Sequence, residues 1–306
     1  MKKTCAQPIQ PLIAIVGPTA SGKSELAVEL ALHFNGEVIS ADSRQVYRGL
    51  DVGSGKITPA EISSVPHHLL DVADPREQFS VAQYQKLAQT ITTDIRCRGN
   101  IPIICGGTAQ YVKSIIDGTN FPHVPPNLAL RKRLNNSTIV GLFNLLQKLD
   151  PRRASEIEKD NPRRLIRAIE IATALGSVPR QSVLRPSYSV LLLGLLPPSE
   201  ELRTRIHERL IKRLNHGMIE EVERLHREGL SWERFDSFGL EYRFVARYLQ
   251  KLISKEEMIK GVETASWQYS RRQLTWWKHD PRVHWLWNNA LEEASSLVHK
   301  FLQPTS

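Results

Sequence analysis

Residues 17–24 carry the strongest chemical signal in the sequence. They read Gly-Pro-Thr-Ala-Ser-Gly-Lys-Ser directly after the apolar run 12–16, which fits G-x-x-x-x-G-K-[ST], a strand followed by a phosphate loop and a helix start. The glycines let successive N–H groups point to one place, where the helix start also favours an anion. Lys23 suits phosphate oxygens, and the hydroxyl of Ser24 suits Mg²⁺. The pattern predicts a diphosphate site, whether for a nucleotide such as ATP or for a diphosphate leaving group.

Two further polar residues follow predicted strands. Asp42 comes at the end of the run 37–41, and Thr108 follows the run 101–105 and two glycines. Because ligands in open α/β sheets bind beyond the carboxyl ends of parallel strands, Asp42 and Thr108 are expected beside Lys23. On spacing alone, Asp42 is equally consistent with a cap on a helix that begins at Ser43.

The elements that must position these residues alternate along the chain. Apolar periodicity predicts helices over 25–34, 78–98, 200–226, 263–278 and 291–302, and strands over 12–16, 37–41, 101–105 and 189–195. Strands that alternate with helices give a right-handed, parallel, doubly wound sheet. We therefore expect an α/β fold.

Cationic and aromatic residues recur on two of the predicted helices. Arg205 and Arg209 are four positions apart and share a face, which Arg213 extends. This row is consistent either with an exposed surface or with a helix that leans over the phosphate loop. The helix 263–278 interleaves aromatic residues with arginines, which suits either stacking on nucleic-acid bases or a core seam with a basic edge.

The composition restricts the class of protein. The chain has 306 residues and a net charge of +9, which favours a polyanionic partner, either nucleic acid or an anionic membrane surface. No run approaches the roughly 18 apolar residues of a membrane span, and residues 1–8 lack the apolar segment of a signal peptide. We expect a cytoplasmic protein without a membrane partner.

Cysteine and histidine are too sparse to support a metal or disulfide framework. Cys5, Cys97 and Cys105 show no C-x-x-C spacing, which favours three reduced thiols. His67 and His68 are adjacent, so their side chains point to different sides and a shared metal is disfavoured.

Much of the positive charge lies in one segment. Residues 119–198 hold twelve Lys or Arg against five Asp or Glu, a balance of +7. Prolines near its start are typical of a linker, and helical patterns follow. We expect a small basic helical insertion over 119–188, which interrupts a catalytic core formed by 1–118 and 189–306. Clustered cations on one insertion favour nucleic-acid binding.

In combination, these segments resemble the tRNA dimethylallyltransferases, also called tRNA isopentenyltransferases. Matching segments run in family order across nearly the whole chain: 17–24, 39–47, 49–56, 66–71, 106–111, 161–168, 205–209 and 271–277. The resemblance implies an α/β fold, a P-loop NTPase-like parallel sheet flanked by helices, with a small basic all-helical insertion domain.

The resemblance also implies a reaction. A tRNA dimethylallyltransferase transfers the dimethylallyl group from dimethylallyl diphosphate to N6 of the adenosine 3′ adjacent to the anticodon. Asp42 matches the base that takes the N6 proton, Thr108 matches a residue that touches the reacting groups, and Lys23 neutralises the leaving diphosphate with Mg²⁺ held by Ser24. The implied diphosphate-binding residues are Gly17, Pro18, Thr19, Ala20, Ser21, Gly22, Lys23, Ser24, Arg205 and Arg209.

Chemistry on N6 requires the adenine to leave its stack, so the resemblance implies a flipped base held in a tRNA anticodon stem-loop. The implied tRNA-binding residues are Asp42, Ser43, Arg44, Gln45, Thr108, Arg131, Arg163, Arg164, Leu165, Ile166, Arg167, Arg243, Arg272 and Gln273. We expect the protein to act as a monomer.

Two departures from the family pattern stand out. Glu241 occupies a position where many relatives have glycine, within the segment 238–243 that we interpret as a loop beside the RNA, and the insertion is short between 134 and 142. A small-molecule or nucleoside kinase that uses the phosphate loop for ATP is the alternative reading of the same motif.

Overall fold

The computed structural model describes residues 10–62, 64–180 and 188–303. Cys5 and the residues 1–8 that lack a signal-peptide pattern lie outside this range. The chain divides into two compact units, Met1–Gly118 with Arg185–Ser306, and Thr119–Leu184. Each unit has its own hydrophobic core.

The first unit contains the predicted sheet, which is confirmed as parallel. Its strands are β1 (Gln10–Val16), β2 (Gly36–Ser40), β3 (His67–His68), β4 (Ile101–Cys105), β5 (Tyr188–Leu195) and β6 (Val283–Leu286). Their order is β3-β2-β4-β1-β5-β6, and every neighbouring pair is parallel. Residues 12–16 of β1 are fully buried because β1 lies between two other strands and both faces of the sheet are covered.

Helices cover both faces of this sheet. The helices of the first unit are α1 (Lys23–Phe34), α2 (Pro59–Ile62), α3 (Val81–Cys97), α4 (Ala109–Ile116), α9 (Ser199–Asn215), α10 (Met218–Arg227), α11 (Trp232–Phe238), α12 (Leu240–Leu249), α13 (Lys255–Trp277) and α14 (Ala290–Leu302). Ile13 and Ile15 of β1 pack with α1 and α14, whereas Leu12 and Ala14 belong to the core that contains α3, α4 and α10–α13. The sheet is therefore doubly wound, as predicted.

Three local expectations differ from the structure. The predicted helix 200–226 is interrupted at Gly217, whose φ of 89° is left-handed and costs glycine little, although the apolar periodicity continues across the break. The segment 238–243 is no loop, since Gly239 alone separates α11 from α12. Strands β3 and β6 were not predicted, because two and four residues are too few to show a periodic pattern. Within the described residues, no helix combines the length and the apolar character that crossing a membrane requires.

In the described part of the second unit, the regular elements are all helices. Its helices are α5 (Leu128–Leu134), α6 (Ile139–Leu149), α7 (Pro151–Glu156) and α8 (Pro162–Leu175). Each begins at a side-chain cap, provided by Asn127, Thr138, Asp150 and Asn161 respectively. Its core includes Leu134, Leu142, Leu146, Leu165 and Ile169. The residues 181–187, next to the predicted boundary at 188, lie outside the described part of the chain.

Candidate active site

The strand order brings three loops together at the carboxyl edge of the sheet. Strands β2, β4 and β1 are neighbours, so the segments that follow them, with Asp42, Thr108 and Lys23, lie side by side. The Thr108 N–H donates to the carbonyl of Ala41 at 3.0 Å, which joins the first two loops. A Cβ on Gly106 would overlap the backbone of Ala41, so this close approach requires glycine.

The phosphate loop has the backbone that its sequence predicts. Gly17 and Gly22 have φ angles of 141° and 89°, and Ala20 between them is also left-handed. A Cβ on Gly17 would lie 2.6 Å from the carbonyl oxygen of Leu195 at the end of β5. Helix α1 then begins at Lys23. The first N–H groups of this helix and the positive end of its dipole face the loop. The loop is therefore an anion cradle built from backbone.

Lys23 is held inside this loop. Its Nζ donates to the carbonyl of Pro18 and lies 3.5 Å from Ser21 Oγ, and the residue is 9% exposed. Burial lowers the pKa of Lys23 to about 8, a shift that the nearby Arg209 reinforces and that Cys105 and Asp42 oppose. A diphosphate in the cradle would supply a counter-ion for the buried Lys23 ammonium.

Two arginines of the row on α9 reach the phosphate loop. Arg209 donates to Thr19 Oγ1, and Arg205 lies 3.9 Å from the position of a Cβ on Gly22, so both reach the phosphate loop. Burial, and next the charge of Arg213, lowers the pKa of Arg209 from its usual range. Of the two alternatives left open by spacing, the helix that leans over the loop is the one found.

Asp42 caps the turn of its own loop, and Thr108 bonds that loop from the neighbouring one. Asp42 Oδ1 accepts the N–H groups of Arg44 at 2.8 Å and Gln45 at 3.4 Å, and Thr108 Oγ1 accepts that of Ser43 at 3.0 Å. Asp42 thus caps a turn instead of a helix. Its second oxygen, Oδ2, makes no hydrogen bond or ion pair with any residue that the structure describes. One oxygen of this carboxylate is therefore engaged in the turn, and the other is available to a ligand.

The residues around Asp42 are partly committed to the fold. Gln45 accepts from Ser40 Oγ and donates to the carbonyl of Gly55, both at 3.0 Å, so it ties β2 to the following loop. The Arg44 guanidinium donates to the carbonyl and the hydroxyl of Ser43, and it lies near Gly239 together with that of Arg243. The arginines 44 and 243 therefore share one rim of the site.

Gln273 lies between two loops of the site, a position that the resemblance did not imply. It is 3% exposed, its Oε1 accepts the Thr19 N–H at 2.7 Å, and its Nε2 donates to the carbonyl of Gly107 at 2.9 Å. The neighbouring Arg272 is exposed, as expected of a residue that contacts nucleic acid. The expectation that Gln273 contacts tRNA is thus at odds with its burial.

Tyr269 is a residue of the site that sequence reasoning missed. Its hydroxyl lies 3.5 Å from the carbonyl of Gly107, and burial, followed by the charge of Asp42, raises its pKa to about 12. The available signal was the spacing of Tyr269 and Gln273, which are four positions apart on α13 and therefore share a face. The helix also divides its tryptophans, since Trp277 is 1% exposed and Trp276 47%. The core reading is confirmed for Trp277, whereas stacking of this stretch on nucleic-acid bases stays a prediction.

Glu241, the departure from the family pattern, is paired within the fold. It is buried in the first turn of α12 and lies 2.8 Å from Arg213, which also donates to the backbone of the loop 51–53. The adjacent Tyr242 donates to Glu221, whose carboxylate accepts the N–H groups of 51–53. The charge of Glu241 is thus compensated by Arg213 of α9, which also bonds the loop 51–53.

The insertion uses several predicted contact residues internally. Glu170, 2% exposed, accepts from Arg131 at 2.7 and 2.8 Å and from Arg167 at 3.2 Å. Leu165 and Ile166 belong to the core of the insertion, so their side chains stabilise α8 and do not face solvent. The exposed residues of the set are Arg163 and Arg164, the second paired with Glu158 at 2.6 Å.

A metal ion would depend on Ser24 and on the ligand. Ser24 is exposed at the start of α1, where its hydroxyl can meet an ion that shares phosphate oxygens. Among the described residues, no group of three or more His, Cys, Asp or Glu could hold a metal. His68 bonds Glu37 at 2.6 Å, and Cys97 and Cys105 are free thiols. The Ser24 hydroxyl therefore suits Mg²⁺ only when a bound phosphate group supplies further oxygen ligands.

Comparisons with known proteins agree on one family. A family model described as IPP transferase matches residues 45–280. The tRNA dimethylallyltransferase 1 of Geotalea daltonii is 42% identical over 279 residues, which cover 90% of each chain. The tRNA dimethylallyltransferase of Thermomicrobium roseum is 40% identical over 284 residues, which cover 90% of this chain and 86% of that relative.

Solved structures give the same result. The full-length tRNA isopentenylpyrophosphate transferase of Bacillus halodurans superimposes with a TM-score of 0.68 and 36% identity, over 95% of this chain and 99% of that one. A eukaryotic dimethylallyltransferase acting on tRNA superimposes with a TM-score of 0.82 and 25% identity, over 96% of this chain and 79% of that one.

Proposed function

The chain belongs to the IPP transferase family, and on that premise we propose that it transfers the dimethylallyl group of dimethylallyl diphosphate to tRNA. The acceptor is N6 of the adenosine 3′ adjacent to the anticodon, and the products are N6-(dimethylallyl)adenosine and diphosphate. One observation carries the proposal: a carboxylate with an unengaged oxygen, on Asp42, lies at the sheet edge beside an anion cradle. A site that only bound a diphosphate would not need that carboxylate.

The cradle suits a diphosphate that leaves. As the C–O bond of the donor breaks, negative charge grows on the diphosphate, and preorganised donors stabilise that charge more than they stabilise the ground state. Lys23, Arg205, Arg209 and the N–H groups of residues 20–24 supply such donors. The Thr19 N–H is not among them, because it donates to Gln273.

The acceptor half needs a base, because the lone pair of an exocyclic amine is delocalised into the adenine ring. N6 attacks the first carbon of the dimethylallyl group, the diphosphate leaves with the bonding electrons, and the N6 proton passes to Asp42 Oδ2. Thr108, which fixes the backbone beside Asp42, contacts the same reacting groups. The adenine reaches this place only if it is flipped out of the anticodon loop.

Mg²⁺ is the proposed cofactor, and it would supply further positive charge to the departing diphosphate. Ser24 would hold it, with the remaining positions filled by phosphate oxygens and water, as Mg²⁺ prefers.

The anticodon stem-loop is the proposed macromolecular partner, bound by a protein that acts as a monomer in the cytoplasm. The net charge of +9 supports a polyanionic substrate. Arg44 and Arg243 on the rim of the site, the exposed Arg272 on α13 and the exposed Arg163 of the insertion are the proposed contacts to phosphates and unstacked bases.

A transfer assay tests this function. Purified protein, Mg²⁺ and radiolabelled dimethylallyl diphosphate are incubated with an anticodon stem-loop that carries adenosine or N6-methyladenosine at the target position. We expect label on the nucleoside only with unmodified adenosine. Transfer of the γ-phosphate of ATP to a small acceptor, without prenyl transfer, would instead support the kinase alternative, which the relatives named above do not favour.

A further inference from the structure

Gln273 joins the two halves of the site through one buried amide. Its oxygen accepts the Thr19 N–H at 2.7 Å and its nitrogen donates to the Gly107 carbonyl at 2.9 Å. A backbone N–H requires an acceptor and a carbonyl requires a donor, so only one orientation of the amide satisfies both partners. At 3% exposure, the side chain has little surface left for a nucleic acid to contact.

The two partners of this amide lie in different loops, each of which faces one of the two reactants. Thr19 lies in the anion cradle, and its hydroxyl accepts from Arg209. Gly107 precedes Thr108, whose hydroxyl accepts the Ser43 N–H beside Asp42. One hydrogen-bonded path from the diphosphate site to the loop beside Asp42 thus passes through the Gln273 side chain.

Two neighbouring residues support the contact between Gln273 and Gly107. A Cβ on Gly107 would collide with Gln273 Nε2, so the glycine leaves the space that the amide fills. Tyr269, one helical turn earlier on α13, directs its hydroxyl to the same carbonyl at 3.5 Å. Two side chains of one helix therefore fix the position of the loop 106–108 relative to the cradle.

From this geometry we infer that Gln273 is a positioning residue, which sets the distance between the prenyl donor and the adenine acceptor. The inference rests on the proposed function and assigns this residue a part in it other than tRNA binding. In-line attack of N6 on the prenyl carbon needs the two reactants aligned, and a displacement of about 1 Å costs roughly 100-fold in rate. Loosening the amide link lets the cradle and the base edge move apart.

Loss of alignment has a chemical signature besides slower transfer. If the C–O bond of the donor breaks when N6 is out of reach, water attacks the prenyl carbon and gives dimethylallyl alcohol, diphosphate and a proton. The fraction of consumed donor that ends as alcohol therefore reports the alignment of the two reactants. A residue that only bound tRNA would not change this fraction at saturating tRNA.

The test compares Gln273→Met, which removes both hydrogen bonds at similar volume, and Gln273→Glu, which keeps an acceptor for the Thr19 N–H. Gln268→Met and Gln268→Glu are matched controls, because Gln268 is an exposed glutamine of the same helix. For each protein one measures the single-turnover transfer rate with saturating stem-loop, the alcohol fraction, the stem-loop Kd and the Tm.

We expect Gln273→Met to transfer about 100-fold more slowly, with a higher alcohol fraction and a stem-loop Kd within about twofold of wild type. The Gln268 variants should match wild type. A Kd that rises as far as the rate falls, with an unchanged alcohol fraction, would make Gln273 a tRNA contact and overturn the inference, as would a rate within about twofold of wild type.

Two further outcomes are kept separate. If Gln273→Met does not fold, Gln273→Glu decides between the same two results. If the wild-type protein itself transfers no label, the proposed function fails, whereas a failure confined to the Gln273 variants bears only on positioning.

Discussion

The carboxyl edge of the sheet and the helical insertion both gather charged side chains, but they treat the charge differently. In the insertion, Glu170 forms ion pairs with Arg131 and Arg167. These charges are therefore neutralised by partners inside the unit. At the sheet edge, Lys23 and Asp42 lie near each other without an ion pair among the described residues. Neutralised charge holds a fold together, and charge left without a counter-ion is available to a ligand.

The difference corrects what a count of charges suggests. The balance of +7 over residues 119–198 marked the insertion as the basic part of the chain. Arg131 and Arg167, however, are engaged with a buried carboxylate, while exposed cations such as Arg163 make no ion pair with described residues. A desolvated charge in the cradle, by contrast, is costly to the empty protein and becomes favourable when an anion binds.

The largest effect should follow from removing the free charge at the sheet edge. Asp42→Asn keeps the oxygen that caps the turn 42–45 and removes the base, so transfer should fall by about 1,000-fold. Single-turnover assays and stem-loop titrations measure the two parts. Asp42→Ala should lose transfer equally while tRNA binding stays nearly intact, and a loss of tRNA binding in Asp42→Asn would show that Asp42 is not purely a base.

Next in size is the removal of neutralised charge from the insertion. Glu170→Ala leaves Arg131 and Arg167 without their buried partner, so the unfolding free energy should fall by about 3 kcal/mol. Urea unfolding followed by far-UV circular dichroism measures it. Glu158→Ala, which breaks only the exposed pair with Arg164, should cost about 0.5 kcal/mol or less. Equal effects from the two variants would remove the distinction between the buried and the exposed pair.

A smaller effect distinguishes the cradle by its pH dependence. The pKa of Lys23 is about 8 instead of 10.5, so above pH 8 the empty protein loses the proton that a bound diphosphate favours. The Kd for inorganic diphosphate should therefore rise with pH, at most about tenfold per pH unit. Lys23→Met removes this dependence while the titration of diphosphate itself remains, so the ratio of the two Kd values isolates Lys23. A ratio that does not change with pH would contradict the assignment.

The smallest effect separates the exposed arginines of the insertion from those that bond the buried Glu170. Arg163→Ala with Arg164→Ala should weaken stem-loop binding and reduce the slope of log Kd against log salt by about 1–2, since up to two phosphate contacts disappear. Arg167→Ala should instead lower stability, because it breaks the bonds to Glu170 and to the backbone of Val124. Binding titrations at several salt concentrations check the first, and urea unfolding checks the second. A salt slope unchanged by the double substitution would argue against RNA contact there.

The fold and the local chemistry were readable from the sequence where signals are contiguous. The phosphate loop spans eight adjacent residues, and β1, β2 and β4 were recognisable as apolar runs, so the meeting of Lys23, Asp42 and Thr108 followed from the rules of parallel sheets. Short elements escaped, such as β6 with four residues. The break at Gly217 escaped too, because the apolar pattern continues across it.

The remaining parts of the site depend on tertiary contacts that no local pattern encodes. The partners of Gln273 lie 254 and 166 residues away along the chain, so its place was visible only in the structure. The pairing of Glu241 with Arg213 is of the same kind, because a charged residue in a glycine position suggests disruption until its partner is known.

Because Thr19 and Gln273 are far apart in the sequence, the link between them can form only late in translation. The phosphate loop leaves the ribosome early, whereas α13 begins only at Lys255. At about 5–20 residues per second, roughly 10–50 s separate the two segments. A nascent chain therefore carries a complete motif but an incomplete site, and strand β5, which completes the surroundings of β1, also arrives after the insertion. The complete site is therefore present only near the end of translation, after α13 has been synthesised.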